Sequence, residues 1–276
     1  MRLNYPVIDL HTHLRNNITG HTKFAKQSGI DIVVYMANCQ PPLDNLNIIK
    51  KSLAIKRHCR AFPVSAITKD LADQVLVDID QIRPYVVGFS DDGKYLEDLD
   101  LLEVVLEKDV LILAHCSPDY EISVKNPERE TENIEKYLRV FSKIKKGRLH
   151  FQHISQGASV ALIRKAKKQG LKITCETCPH YFTFTKYDLD VKVNPPLATE
   201  KDVSAIRQGL ADDTVDVIAS DYAPEPRLTG IAGFRSFLPL CYGLVLDGTL
   251  SAKQLKEKLY INPRKIIKWD LVVYKL

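Results

Sequence analysis

Two histidines, His11 and His13, stand one residue apart at the end of the apolar run "PVIDLH", and Arg15 follows two positions later. Side chains of an extended chain alternate between faces, so His11 and His13 project together with Thr12 opposite. Two imidazoles on one face can share a metal ion. Taken alone, the pair reads equally well as ordinary polar residues at a strand end. Residues of the same chemical kind close later apolar runs. Asp91 and Asp92 end "YVVGFSDDG", His115 ends "VLILAHC", His153 lies in "RLHFQHIS" and Asp221 ends "VDVIASD". Imidazole and carboxylate are hard or borderline metal ligands. Of the eight histidines, four (His11, His13, His115, His153) fall at the C-terminal ends of expected strands, which single-residue explanations do not cover.

The elements that must carry these residues are legible as a repeating pattern. "YPVIDLH", "GIDIVVYMAN", "RAFPVSAIT", "YVVGFS", "VLILAHC", "RLHFQHIS", "LKITCET" and "VDVIASD" are Val- and Ile-rich runs of strand length. Between them lie segments such as "LDNLNIIKKSLAIKRH" and "SVALIRKAKKQG", whose apolar residues recur at three and four. Near-continuous hydrophobic strands alternating with helices indicate a parallel sheet covered on both faces. Eight such units fit an α/β fold of the (β/α)8, or TIM barrel, kind, which places its chemistry at the carboxyl ends of the strands. An open doubly wound sheet would carry a glycine-rich turn after its first strand, whereas this chain reads "HTHLRNN" there. Nothing divides the chain, so residues 1–276 read as one domain, with a helix and a short flanking strand ("LVVYK") in 250–276.

Composition excludes several classes of function. The formal charge of +5 is small for 276 residues and the 39 Lys and Arg are scattered, which argues against nucleic acid as a partner. No apolar run approaches the ~18 residues of a membrane span, and no leader pattern opens the chain, so a cytoplasmic location is expected. The six cysteines are dispersed, which favours free thiols. Cys175 and Cys178 form a single C-x-x-C, read here as structural because no second pair accompanies it.

The ordered series "HTHLR", "MANCQPPLDN", "FSDDG", "AHC", "HISQGASVALIRKAKKQGLKIT", "ETCPHYFT", "VNPPL", "DYAP" and "GIAGF" resembles the dihydroorotases of the amidohydrolase superfamily, in the branch whose bridging metal ligand is an aspartate. The resemblance runs from residue 7 to about 265. It implies a metal-dependent hydrolase barrel that opens a cyclic amide, interconverting dihydroorotate and N-carbamoyl-L-aspartate in pyrimidine synthesis. Carried over by position, His11, His13 and Asp221 would hold one zinc ion and His115 and His153 a second. Asp92 and a hydroxide would bridge the two Zn2+ ions. Asp91 is set aside, because the family uses the second aspartate of the pair. Asp221 would move the proton from the attacking hydroxide to the departing nitrogen as catalytic base and acid. Arg15 and Asn38 would bind the substrate carboxylate, for which a guanidinium fork is well shaped. Asn194, Thr229 and Gly230 fall where the family contacts the substrate ring. His180 in "CPHY" is given no metal role.

Three departures from the family pattern stand out. Tyr222 and Glu225 in "DYAPE" replace two histidines. The first position is not a ligand in the family, but the second helps to bind the substrate carboxylate. Two negative charges about 4 Å apart repel by roughly 4 kcal/mol at an effective dielectric of about 20. Glu225 must therefore turn away, toward Arg227 for example, or the substrate must differ. Relatives also carry an accessory β-sandwich built from both termini, most of which is lacking here. A second copy of the chain or aspartate transcarbamoylase, a frequent family partner, is expected to supply the cover. Finally, "NPPLAT" lacks the arginine usual after that motif. Two other readings remain beside the leading one. A hydantoinase or allantoinase would bridge its metals with a carboxylated lysine, and Lys94 sits two residues too late. A non-catalytic subunit scaffolding a transcarbamoylase should have lost metal ligands that this chain keeps.

Overall fold

The computed structural model describes residues 3–224 and 230–268. Strands β1 (Ile8–Thr12), β2 (Ile32–Tyr35) and β3 (Arg60–Pro63) pair in parallel in that order. A second parallel ladder runs through β4 (Leu111–Ala114), β5 (Arg148–Phe151), β6 (Ile173–Thr177) and β7 (Val217–Ile218). Isolated parallel bridges join the ladders. Phe89 pairs with Ser65 on one side and Ile112 on the other, and Thr12 pairs with Tyr222. The order of the chain around the ring is that of a (β/α)8 barrel.

The expected strand at "YVVGFS" differs from this expectation in one respect. It occupies its place between β3 and β4, but its paired residue on either side is Phe89 alone, so no continuous ladder forms. Of "VDVIASD", only Val217–Ile218 lies in a regular strand. In the tail, helix Ala252–Lys256, a π-helical turn at Glu257–Ile261 and helix Asn262–Ile267 replace one continuous helix. The flanking strand expected at "LVVYK" lies outside the described residues. No helix among the described residues is long and apolar enough to cross a membrane.

Local sequence explains where the helices begin. Asn17 and Asn45 accept the backbone N–H of Gly20 and Ile48 and so cap the helices at Ile18–Gln27 and Leu46–Leu53. Thr199 and Asp202 form a reciprocal capping box at the start of Glu200–Ala211. The strands bury both faces. Val33, Tyr35, Ile112, Leu149 and Ile173 pack outward against the helices, in one cluster with Ile49, Ile134 and Ile163. Ile8, Leu10, Ile32, Val34, Val64, Leu111, Leu113 and Val217 form a separate cluster that fills the barrel interior. Each such Leu or Ile contributes about 1.5–3 kcal/mol on leaving water.

A register shift in β1 settles which way the first histidines face. Asp9 pairs with Val33 and Thr12 with Tyr35, so β1 carries one extra residue, a β-bulge. Strict alternation would put Leu10 and His11 on opposite faces. With the bulge, Leu10 joins the interior cluster while His11 also meets interior partners from β6.

Candidate active site

The carboxyl ends of the strands converge on a cavity of about 280 Å³ lined by His13, Arg15, Asn38, Asp92, His115, His153, Asn194, Asp221 and Gly230, among others. His11 lies just beneath it, fully buried. Asp92 stands at the centre. Its Oδ2 is 2.8 Å from His11 Nε2 and 3.3 Å from His13 Nε2. Its Oδ1 is 2.8 Å from His115 Nδ1 and 3.8 Å from His153 Nε2. Asp221 Oδ1 lies 3.0 Å from His13 Nε2 and 3.5 Å from His11 Nε2. Thus the six side chains expected from the sequence as metal ligands meet in one place. Two of them, His153 and Asp221, have positive φ (33° and 49°), the strained backbone that often marks functional positions.

Two of the groups of side chains that could hold a metal ion, among the described residues, share Asp92: His11 with His13 and Asp92, and Asp92 with His115 and His153. Within each group the ligand atoms lie within 4.8 Å of one another. The donor chemistry fits a divalent cation. His13 Nδ1 meets Asn38 Oδ1 at 2.9 Å and His11 Nδ1 meets Glu176 Oε1 at 2.8 Å. Each Nδ1 therefore carries a proton toward its outer partner, and each Nε2, facing Asp92 and Asp221, is the atom that would give its lone pair to a cation there. His115 Nδ1 and His153 Nε2 face each other at 2.6 Å, so at least one of them is a bare lone pair. His115 Nε2 is buried without a hydrogen-bond partner.

The electrostatics follow from this crowding. Burial would raise the carboxyl of Asp92, but His11 and His13 outweigh it and hold it well below the usual range. Asp221 is likewise held low, with burial opposed by His11 and His13. Burial would lower His11, yet Asp92 and Asp221 keep it well above its ordinary value. His153 is lowered by burial and by His115 beside it.

The neighbouring Asp91 is spent elsewhere. Its oxygens accept the backbone N–H groups of Ile67 and Thr68 and the Thr68 hydroxyl, which ties down the chain after β3. Tyr222 points away from the cavity. Its ring stacks on Phe234 with centroids 3.7 Å apart, and its hydroxyl meets His21 Nδ1 at 2.8 Å. Arg15 lines the cavity and donates from Nη1 to the Asn38 carbonyl at 2.7 Å. Asn194 donates to the Pro118 carbonyl at 3.0 Å. Glu225 and Thr229, and with them Arg227, lie outside the described residues.

Several site residues escaped the sequence reading. Asp119 and Tyr120 line the cavity; their nearness to His115 in "AHCSPDY" was the available signal. Cys178, read from the sequence as structural, and His180, given no metal role there, form with Asp221 a third group of potential ligands, in which burial lowers His180 to about 4. Glu176, His150 and Gln152 gave no signal, because a polar residue inside an apolar strand says nothing of its partner.

No family model matches the chain. Among curated proteins, the dihydroorotase of Acetivibrio thermocellus is 32% identical over 95% of this chain and 72% of its own length. That of Geotalea daltonii is 33% identical over 96% of this chain and 73% of its own. The chain belongs to the dihydroorotase family. As a dihydroorotase-family protein it is a hydrolase of a cyclic amide C–N bond. Solved structures share the fold of this dihydroorotase-family chain. The L-hydantoinase of Arthrobacter aurescens superposes with a TM-score of 0.84 at 18% identity, covering 95% of this chain and 70% of that one. The inactive dihydroorotase-like domain of a Chaetomium thermophilum CAD-like protein gives 0.72 at 18% identity, over 95% and 79%.

Proposed function

We propose that this protein is a dihydroorotase that interconverts dihydroorotate and N-carbamoyl-L-aspartate with two zinc ions. The observation that carries this reading is the division of Asp92, with one oxygen 2.8 Å from His11 and the other 2.8 Å from His115. A carboxylate so placed can bridge two cations, whereas a structural aspartate needs one set of partners. His11, His13 and Asp221 would hold one ion, and His115 and His153 the other. Bound zinc lowers the pKa of water toward 7 and polarises the amide carbonyl.

The chain's own residues supply the rest. Asp221, kept ionised by the imidazoles around it, accepts a proton from the attacking water and returns it to the ring nitrogen as the C–N bond breaks. Arg15 sits in the same cavity, where its planar guanidinium suits the substrate carboxylate. Asn194 and Gly230 line the same cavity and would contact the substrate ring. A second copy of the chain or aspartate transcarbamoylase is the partner of this cytoplasmic protein; purification from its cell extract without either counts against that part.

The test is an assay of the zinc-loaded protein against dihydroorotate, carbamoyl aspartate and a simple hydantoin, with metal content measured in parallel. Two ions per chain, turnover of the first two compounds and loss of activity to chelator are expected. Turnover of the hydantoin alone moves the substrate to the hydantoinase class. A folded protein that holds no zinc and turns over nothing is a scaffold instead.

A further inference from the structure

Beneath the proposed metal ligands the barrel interior holds a chain of polar side chains to which no role has been assigned. Glu176 on β6 is fully buried. Its Oε1 lies 2.8 Å from His11 Nδ1 and its Oε2 3.1 Å from His150 Nε2. His150 on β5 is also fully buried, and its Nδ1 lies 2.8 Å from Thr174 Oγ1. His150 and Thr174 are direct partners in the ladder, and Glu176 follows two residues later on the same face.

Donors and acceptors balance in one arrangement, in which Gln152 Nε2, 3.2 Å from His11 Nδ1, donates to Met36 Sδ at 3.4 Å instead. The Thr174 hydroxyl donates to His150 Nδ1, which must then be bare, so His150 donates from Nε2 to Glu176. Glu176 also accepts from His11 Nδ1. His11 is left with its lone pair on Nε2, the atom that faces Asp92. The companion histidine is treated differently, since His13 Nδ1 is held by the neutral amide of Asn38. A carboxylate on the far nitrogen makes an imidazole a stronger ligand than an amide does.

We infer that Glu176, held by His150 and Thr174, is a positioning residue that fixes the tautomer and orientation of His11 and so selectively strengthens the metal position that His11 shares with His13 and Asp221. The inference rests on the metal-binding reading above. Glu176 touches no substrate; it acts through His11. Replacing it with glutamine leaves a single carbonyl oxygen for two N–H donors, so one imidazole must face an NH2 group or turn over.

The experiment measures zinc kept per chain after dialysis against a chelator of fixed strength, for wild type, Glu176→Gln and Thr174→Val. Steady-state constants and the unfolding midpoint of the zinc-free proteins are measured alongside. Wild type should keep two equivalents. Glu176→Gln should lose one of them, with its affinity for that ion about 10- to 100-fold weaker and kcat lowered at unchanged KM. Thr174→Val keeps the shape of the side chain and should show a smaller loss of the same ion. Should Glu176→Gln fail to fold, Thr174→Val decides the matter. A wild type that keeps no zinc overturns the metal reading and this inference with it. A wild type with two ions beside folded variants that keep both at wild-type affinity overturns this inference alone, as does a loss confined to the zinc-free unfolding midpoint.

Discussion

The side-chain oxygen of Asn38 lies 2.9 Å from His13 Nδ1, so an asparagine expected to meet substrate also holds in place a histidine proposed as a metal ligand. Asn38→Ala leaves that N–H unpartnered next to the cavity. Activity should fall about 10- to 100-fold, with zinc retention falling alongside. A rise in KM with zinc content and kcat intact would restrict Asn38 to substrate contact.

Asp92→Asn keeps the shape of the central carboxylate and removes its charge. One amide nitrogen must then face either the His11 and His13 pair or the His115 and His153 pair. Zinc content measured by elemental analysis should drop to one equivalent or less, with kcat reduced more than about 100-fold, since a ligand matters at least as much as its outer partner. Retention of two ions with near-normal turnover sinks the bridging role.

Gly230 has a φ of 154°, and a Cβ there would meet Ala223 Cβ at 2.4 Å and Ala223 O at 2.8 Å. Both neighbours belong to the segment after Asp221, and the second is backbone, which cannot swing aside. Gly230→Ala is expected to cost about 1–3 kcal/mol and to raise KM by disturbing that wall of the cavity. Denaturant titration and steady-state kinetics check it; an unchanged unfolding midpoint contradicts the clash.

Glu225→His installs the histidine that the family resemblance implies at a carboxylate-binding position. Exchanging a charge that repels a carboxylate for an imidazole should lower KM for dihydroorotate at least about tenfold. No change, or a loss, removes Glu225 from the neighbourhood of the substrate carboxylate.

Burial pushes the Cys39 thiol up to about 11 and those of Cys59 and Cys175 up to about 12. It also raises the phenols of Tyr5 and Tyr222 to about 12. The unfolded chain loses these protons near pH 9–10, so above that pH the folded state binds more protons than the unfolded one and stability falls as pH rises. The contribution is complete below about pH 9 and fades as pH climbs toward 11–12. Denaturant midpoints at pH 8, 9.5 and 10.5 should decline in that order. At pH 7.5 all six free cysteines should react slowly with a thiol reagent until the protein is unfolded. A fast-reacting thiol in the native protein contradicts this.

The sequence alone determined the repeating alternation of strand and helix, because hydrophobic period and helix capping are local properties. It also determined which residues end the strands, and the family motifs in order identified His11, His13, Asp92, His115, His153 and Asp221 as one set. What it could not supply depends on partners distant along the chain. "YVVGFS" reads as a full strand by composition, yet its pairing is limited to Phe89, since pairing depends on how its neighbours sit. The bulge between Asp9 and Thr12 is a mismatch of register with β2, invisible in β1 by itself. Glu176 reaches His11 across 165 residues, and nothing in "LKITCET" announces that contact. The resemblance chose Asp92 over Asp91, and tertiary structure supplied the physical reason. The chain turns at this point, with Lys94 N–H bonded to the Asp91 carbonyl, and one side chain goes to the backbone of Ile67 and Thr68 while the other goes to the histidines.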